Sequence, residues 1–282
     1  MCLGAQAGTN NVKLPFERDI SRDAEIAAAL TNARAALLDY LPKDAILARF
    51  QRGAGEELLS GKFTSPESSA ALVANAFGFF LEQSALLLLP GQLLQAGSAL
   101  AVILEEEVRF GWRGGFHPWL DVVIETDERF IGIESKRYEP FRDKKKVDFS
   151  SAFDRDVWGT KMGPFEAMRK ALNSGEKQYA HLDAAQLVKH AYGLYAQAKR
   201  RGKTPCLVYL YSEPSAYPTG RQIPRPSIVA HADEVSDFAD AVSGADVQFA
   251  SLRYADLFRN WIAEGRGSLP DHAIEMQKPY DV

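Results

Sequence analysis

The chain has 282 residues, 46% of them apolar and 25% charged, with a net charge of −4. That is the balance of an ordinary globular protein, long enough for one large domain or two small ones. Cys2 and Cys206 lie far apart and share no metal-ligand spacing, which excludes a disulfide framework and predicts a reducing, cytoplasmic compartment. The opening MCLGAQAGTNN has neither the basic nor the apolar region of a signal peptide. The longest apolar stretch, Ala70 to Pro90, is broken by Asn75, Glu82, Gln83 and Ser84, so it reads as buried helix and not as a membrane span.

In chain order, residues 1–20 are polar and predict loosely held chain. Asp23 to Tyr40 predicts a helix ended by Pro42, followed by short helical or turn pieces at 45–50 and 55–61. Residues 1–62 are expected to form a helical extension packed on a domain spanning 63–264. Ser65-Pro66-Glu67-Ser68 carries a serine cap, an early proline and an early carboxylate. It predicts a helix running through 69–89 to Pro90-Gly91. Asn75 on that helix is either a buried, satisfied amide or a residue lining a site. Leu100–Arg113 contains a strand whose Glu105–Glu107 triad reads as a charged sheet edge, ahead of the alternative that it reaches a second metal.

The stretch His117–Glu139, HPWLDVVIETDERFIGIESKRYE, organises the rest. Two apolar runs flank the polar pair Asp127–Glu128, which predicts a β-hairpin. With a two-residue loop, Thr126 faces Arg129 and Asp121 lies opposite Glu134, so their side chains share a face. Lys136, two residues beyond Glu134, joins that face. Leu120, Val122, Ile124, Ile131 and Ile133 take the other, as core. Like charges directly opposed on paired strands repel, so an Asp–Glu pair in an apolar hairpin asks for a cation. A hard divalent ion suits it, because Mg²⁺ commonly takes one or two carboxylates together with substrate phosphates. The plainer alternative is a solvated strand face.

Residues 140–180 mix basic and aromatic side chains, Lys144–Lys146, Phe149, Phe153, Trp158 and Lys161. They read either as a substrate-facing insertion or as a long excursion packed on the body. Leu182–Lys199 predicts a strong helix with Gln186, Lys189, His190 and Gly193 on one face. Then follow a buried strand at 204–212, a Pro-rich loop to Ala230, a helix at 233–242, a strand at 246–252, a helix at 254–264 and a loose tail from Gly265 to the end at 282. Between Glu134 and Lys203 the chain carries 16 Lys and Arg against 9 Asp and Glu. A basic half of this kind suits a phosphate backbone.

Asp121 followed by Glu134-Ser135-Lys136 resembles the PD-(D/E)xK motif of the restriction-endonuclease-like nuclease superfamily, with the motif's proline displaced to Pro118. The resemblance implies an α/β fold with an α-β-β-β-α-β core, a mixed central sheet flanked by helices, here with the N-terminal helical extension. It also implies Asp121 and Glu134 as ligands of Mg²⁺ (or Mn²⁺), the Ser135 carbonyl as a third, and Lys136 as the catalytic lysine beside the attacking water. Gln186-x-x-x-His190 is similar to the Gln-x-x-x-Tyr helix motif of RecB-like members, with His in place of Tyr. Gln186 and Lys189 are therefore candidate substrate contacts. Some members add an acidic residue from the first core helix, for which Glu67 and Glu82 both stand.

The expected function is a Mg²⁺-dependent endonuclease or exonuclease acting on nucleic acid, DNA ahead of RNA. Cutting both strands would imply a homodimer. The alternative is a non-catalytic nucleic-acid-binding or protein-interaction module on the same fold. No GxxxxGK[ST] and no G-x-S-x-G motif occurs, so nucleotide-driven and serine-hydrolase readings are set aside.

Overall fold

The computed structural model describes residues 20–280 apart from 54–55, 92, 94–96, 113 and 156. Residues 1–19, most of the stretch expected to be loosely held, and with them Cys2, lie outside the described residues. The helices are α1 (Ile20–Ala35), α2 (Lys43–Arg52), α3 (Glu56–Leu59), α4 (Ser69–Gly78), α5 (Glu139–Arg142), α6 (Gly163–Ser174), α7 (Ala184–Arg201), α8 (Arg225–Ala241), α9 (Tyr254–Glu264) and α10 (Leu269–Gln277). The strands are β1 (Ala101–Glu107), β2 (Trp119–Glu125), β3 (Arg129–Lys136), β4 (Thr204–Tyr211) and β5 (Gln248–Arg253). They form one sheet in the order β1-β2-β3-β4-β5, with β1–β2–β3 antiparallel and β3–β4–β5 parallel.

The hairpin has the expected register: Val122 pairs with Ile133, Ile124 with Ile131 and Glu125 with Phe130. Asp127–Glu128 lacks the glycine usual in tight primed turns. Thr126 makes up for it, its Oγ1 accepting from the N–H groups of Glu128 and Arg129 at 3.3 and 2.9 Å. Its own N–H donates to the Arg129 carbonyl at 3.0 Å.

Each face of the sheet buries a core. On one, Val122, Ile124, Ile131 and Ile133 meet Leu72, Val73, Ala76 and Phe77 of α4 and the apolar sides of α9 and α10. On the other, Val123, Phe130 and Leu207 meet Leu187, Val188, Ala191 and Leu194 of α7, together with Phe165 and Phe238. Leu120, expected in the first core, belongs to the second. Its Cδ1 fills the space over Gly132, where an added Cβ would lie 2.4 Å away. The neighbouring β1 strand is irregular at the same place: Glu105 has a φ of 49° and drops out of the β1–β2 ladder between the Leu104–Val122 and Glu106–Leu120 pairs.

Several expected boundaries move. The helix expected to reach Tyr40 ends at Ala35. Helix α4 is capped by Ser68, whose Oγ accepts from Ala71 N at 3.0 Å, and stops at Gly78. Tight turns take over from there and bury Phe79 and Phe80 against His272 and Trp261. Helix α8 starts at Arg225 with Pro226 in its first turn, well inside the expected loop. The tail expected to be loose from Gly265 holds α10, with Leu269, Ala273 and Met276 buried. Residues of the N-terminal extension, Leu37, Leu41, Ile46 and Phe50, share that same core. Among 140–180, Phe153 and Trp158 pack inward, Trp158 stacking on Tyr192 at 4.1 Å. Among the described residues no helix is long and apolar enough to cross a membrane.

Candidate active site

Asp121 and Glu134 sit one rung beyond the last regular β2–β3 pair, Val122–Ile133, in a cavity that also reaches Gln186 in the first turn of α7. Both line one cavity of about 540 Å³ with Ser135, Lys136 and Gln186. The hairpin therefore brings the three motif side chains together. Asp121 Oδ2 accepts from the Ser135 N–H at 2.6 Å, which ties its carboxylate to the neighbouring strand. Lys136 Nζ donates to Glu134 Oε1. The Ser135 hydroxyl points to the opposite face, against Tyr254 Oη at 2.8 Å.

Helix α7 enters through its first turns. Asp183 caps it, accepting from Gln186 N at 2.9 Å, and this sets Gln186 at the cavity wall. One turn on, His190 is buried, its Nδ1 3.2 Å from Glu134 Oε2 but out of hydrogen-bond alignment. Lys189 is not part of the wall; its Nζ lies 5.4 Å from the centre of the Phe149 ring. Of the upstream acids, Glu67 lines the cavity and pairs with Arg142 at 2.5 Å. Glu82 is exposed and outside it. Asn75 is a satisfied structural amide. It accepts from Leu38 N at 2.8 Å, and its Nδ2 lies 2.9–3.0 Å from Ala36 O, Ala71 O and Tyr280 Oη, three acceptors that share its two hydrogens.

Two acids gain importance in the structure. Glu105 lines the cavity, turned inward where a charged edge was expected. Glu139 accepts from Ser69 Oγ at 2.5 Å and Arg137 N at 2.8 Å. It stands three residues after Lys136, a spacing that a turn at the strand end could have suggested. Glu105 offered less, since nothing in the run of three glutamates marks which one the backbone turns inward.

The electrostatics are those of a site with surplus negative charge. Burial, then Glu134, raises Asp121 well above the ordinary carboxylate range. Burial also raises Glu134, against the opposing pull of Lys136. Glu105 is pushed up to about 9 by burial and by Asp121, Glu134 and Glu57. Burial would lower Lys136, but Glu134, Glu139 and Asp121 outweigh it and hold the ammonium charged. Glu139 stays below the ordinary range because Lys136 and its hydrogen bonds overcome the cost of burial. His190 falls to about 3 through burial and Lys136, and is neutral.

Buried carboxylates in excess of cations are the donor set a hard divalent ion takes. Among the described residues no group of three or more His, Cys, Asp or Glu side chains is placed to hold a metal ion directly. Mg²⁺ does not need one, since it dehydrates reluctantly and keeps several waters. The residues present thus fit such an ion.

A mixed five-stranded sheet flanked by helices, with an Asp and a Glu-x-Lys brought together at the strand ends, places this α/β domain in the restriction-endonuclease-like class. The chain belongs to the family described as Restriction Endonuclease associating with ARP, whose model matches residues 33–279. The match runs across the boundaries expected near 62 and 264. No curated protein and no solved structure matches the chain.

Proposed function

We propose that this protein is a metal-dependent nuclease that hydrolyses phosphodiester bonds of nucleic acid, DNA ahead of RNA. The observation that carries the reading is the convergence of Asp121, Glu134 and Lys136 in one cavity, with both carboxylates raised by burial. Asp121 and Glu134, with the Ser135 carbonyl, would hold Mg²⁺ or Mn²⁺. That ion, when bound, supplies Lewis-acid stabilisation of phosphate charge and a more acidic water.

The chain's own groups do the rest. Lys136 remains cationic across the neutral range, so its Nζ offers a fixed positive charge to the attacking water or the developing phosphate charge. Its Nζ donates to Glu134 within the cavity that both residues line. Gln186 faces the same space as an amide that can donate to a phosphate oxygen. A cytoplasmic location and a homodimer, if both strands are cut, belong to the same reading.

A second reading is favoured by the Lys136–Glu134 pair, which has the form of a structural ion pair. It is a nucleic-acid-binding module without catalysis. Cleavage and binding of one labelled substrate separate the two, at fixed salt, with Mg²⁺ or with EDTA. For a nuclease, Lys136→Ala lowers cleavage by roughly two or more orders of magnitude, while affinity changes little because one lysine makes a single phosphate contact. Binding without cleavage by the unmodified protein, across single- and double-stranded DNA and RNA, overturns the first reading in favour of the second.

A further inference from the structure

We propose that Glu105 is the third carboxylate of the cation site formed by Asp121 and Glu134, holding the hydrated ion from the strand next to Asp121. The proposal rests on the metal-dependent reading above and deepens it.

The placement comes from the sheet. The β1–β2 ladder pairs Leu104 with Val122 and Glu106 with Leu120, so Glu105 falls beside Asp121, which in turn falls beside Glu134 in the β2–β3 register. Three carboxylates therefore occupy one row across three adjacent strands. Glu105 is the single non-glycine residue with a positive φ among the described residues, at 49°. A glutamate that guards a sheet edge has no need of that conformation and points to solvent. Here the turn carries the side chain into the cavity shared with Asp121 and Glu134. The end of α2 makes room for it, since a Cβ on Gly53 would lie 3.1 Å from Glu105 Oε2. Among the described residues no lysine, arginine or histidine comes within ion-pair distance of Glu105, unlike Glu67, which Arg142 neutralises.

An independent observation comes from the other side of the cluster. His190 is 3% exposed, and its Nδ1 has no hydrogen-bond partner although it lies 3.2 Å from Glu134 Oε2. A buried nitrogen left unsatisfied beside a carboxylate is costly. A small rotation of Glu134, of the kind needed to give up Lys136 and accept an ion, would satisfy it. Carboxylates that bind metals are commonly held by such neighbours. Among the described residues no three such side chains are placed to ligate an ion directly. Glu105 therefore acts on the ion's hydration shell, by accepting hydrogen bonds from bound water, which Mg²⁺ retains.

The test is Mn²⁺ binding to the full chain, with free Mn²⁺ read by electron paramagnetic resonance, for the unmodified protein, Glu105→Gln, Glu105→Gly and Glu106→Gln. Glycine accepts a positive φ without strain, so Glu105→Gly keeps the backbone even if Glu105→Gln disturbs it. Circular dichroism in EDTA checks the fold of each. The expected result is a loss of about tenfold or more in Mn²⁺ affinity for both Glu105 variants, with Glu106→Gln within about twofold of the unmodified protein. Unchanged affinity in a folded Glu105 variant, where the unmodified protein binds, overturns this proposal alone. No Mn²⁺ binding by the unmodified protein overturns it together with the metal-dependent reading.

Discussion

Stability in the absence of a divalent ion should fall as pH rises, and Glu105 makes the effect measurable. Burial and the neighbouring Asp121, Glu134 and Glu57 push its carboxyl up to about 9 in the folded chain, against 4.5 ordinarily. The folded state therefore holds a proton that the unfolded state has lost throughout that window. Stability then falls with pH at about 1.4 kcal/mol per pH unit for one such proton. The contribution is fully present below pH 4.5 and has been lost once pH passes about 9. Between pH 6 and 8 this one group costs about 3 kcal/mol, a large share of the 5–15 kcal/mol typical of a domain. Urea unfolding in EDTA at pH 6, 7 and 8 measures it directly. In Glu105→Gln no proton is exchanged at that position, so the variant's stability should fall less steeply by about 1.4 kcal/mol per pH unit. Adding Mg²⁺ should flatten the unmodified protein's dependence, because an ion competes with protons for the same oxygens. Parallel pH profiles for the two proteins in EDTA would refute the argument.

Mg²⁺ or Mn²⁺ should raise the thermal midpoint of the unmodified protein, and Glu134→Gln should abolish most of the rise in a thermal scan; an undiminished rise would place the ion elsewhere. Gly132→Ala should cost about 1–3 kcal/mol in denaturant titration, because the new methyl would lie 2.4 Å from Leu120 Cδ1 and 3.0 Å from Leu194 Cδ1. Asn75→Leu should destabilise by at least about 1–3 kcal/mol, since it strands the Leu38 N–H, the Ala36 carbonyl and the Tyr280 hydroxyl, while leaving nucleic-acid affinity unchanged. Leu269→Ala should cost about 2–5 kcal/mol in the same titration, a loss that a loose tail would not show.

The hairpin was legible because its evidence is local. Period-two apolar spacing and a polar pair set the register, and with it the meeting of Asp121 and Glu134. The turn survived an unfavourable Asp-Glu pair through Thr126, a side-chain device that propensity does not score. What escaped sequence reasoning depends on contacts between distant segments. The α10 helix looks like a tail because Leu269, Ala273 and Met276 declare an apolar face only against α9 and α4. Glu105 and its neighbours are chemically identical in sequence, and one backbone angle separates the cavity wall from the sheet edge. The Gln186–His190 face was visible as a stripe, yet Lys189 on it turns to Phe149 while His190 turns to Glu134. Spacing along a helix fixes a side chain's azimuth and not the neighbour it finds.

The same architecture explains how the chain tolerates so much buried charge. Burying carboxylates beside one another is costly, and such an arrangement persists only where the surroundings over-determine it. Here β2 and β3 are gripped from both faces by large apolar cores, and the charged row stands where their regular pairing ends. The strands therefore cannot slip to relieve the repulsion, because a one-residue shift would turn Val122, Ile124, Ile131 and Ile133 out of their core. Lys136 can leave Glu134 without disturbing that register, since the pair is made by side chains and not by backbone groups of the ladder. What the repulsion can drive is therefore confined to the side chains, as protonation of Glu105 and Asp121 or as uptake of a cation.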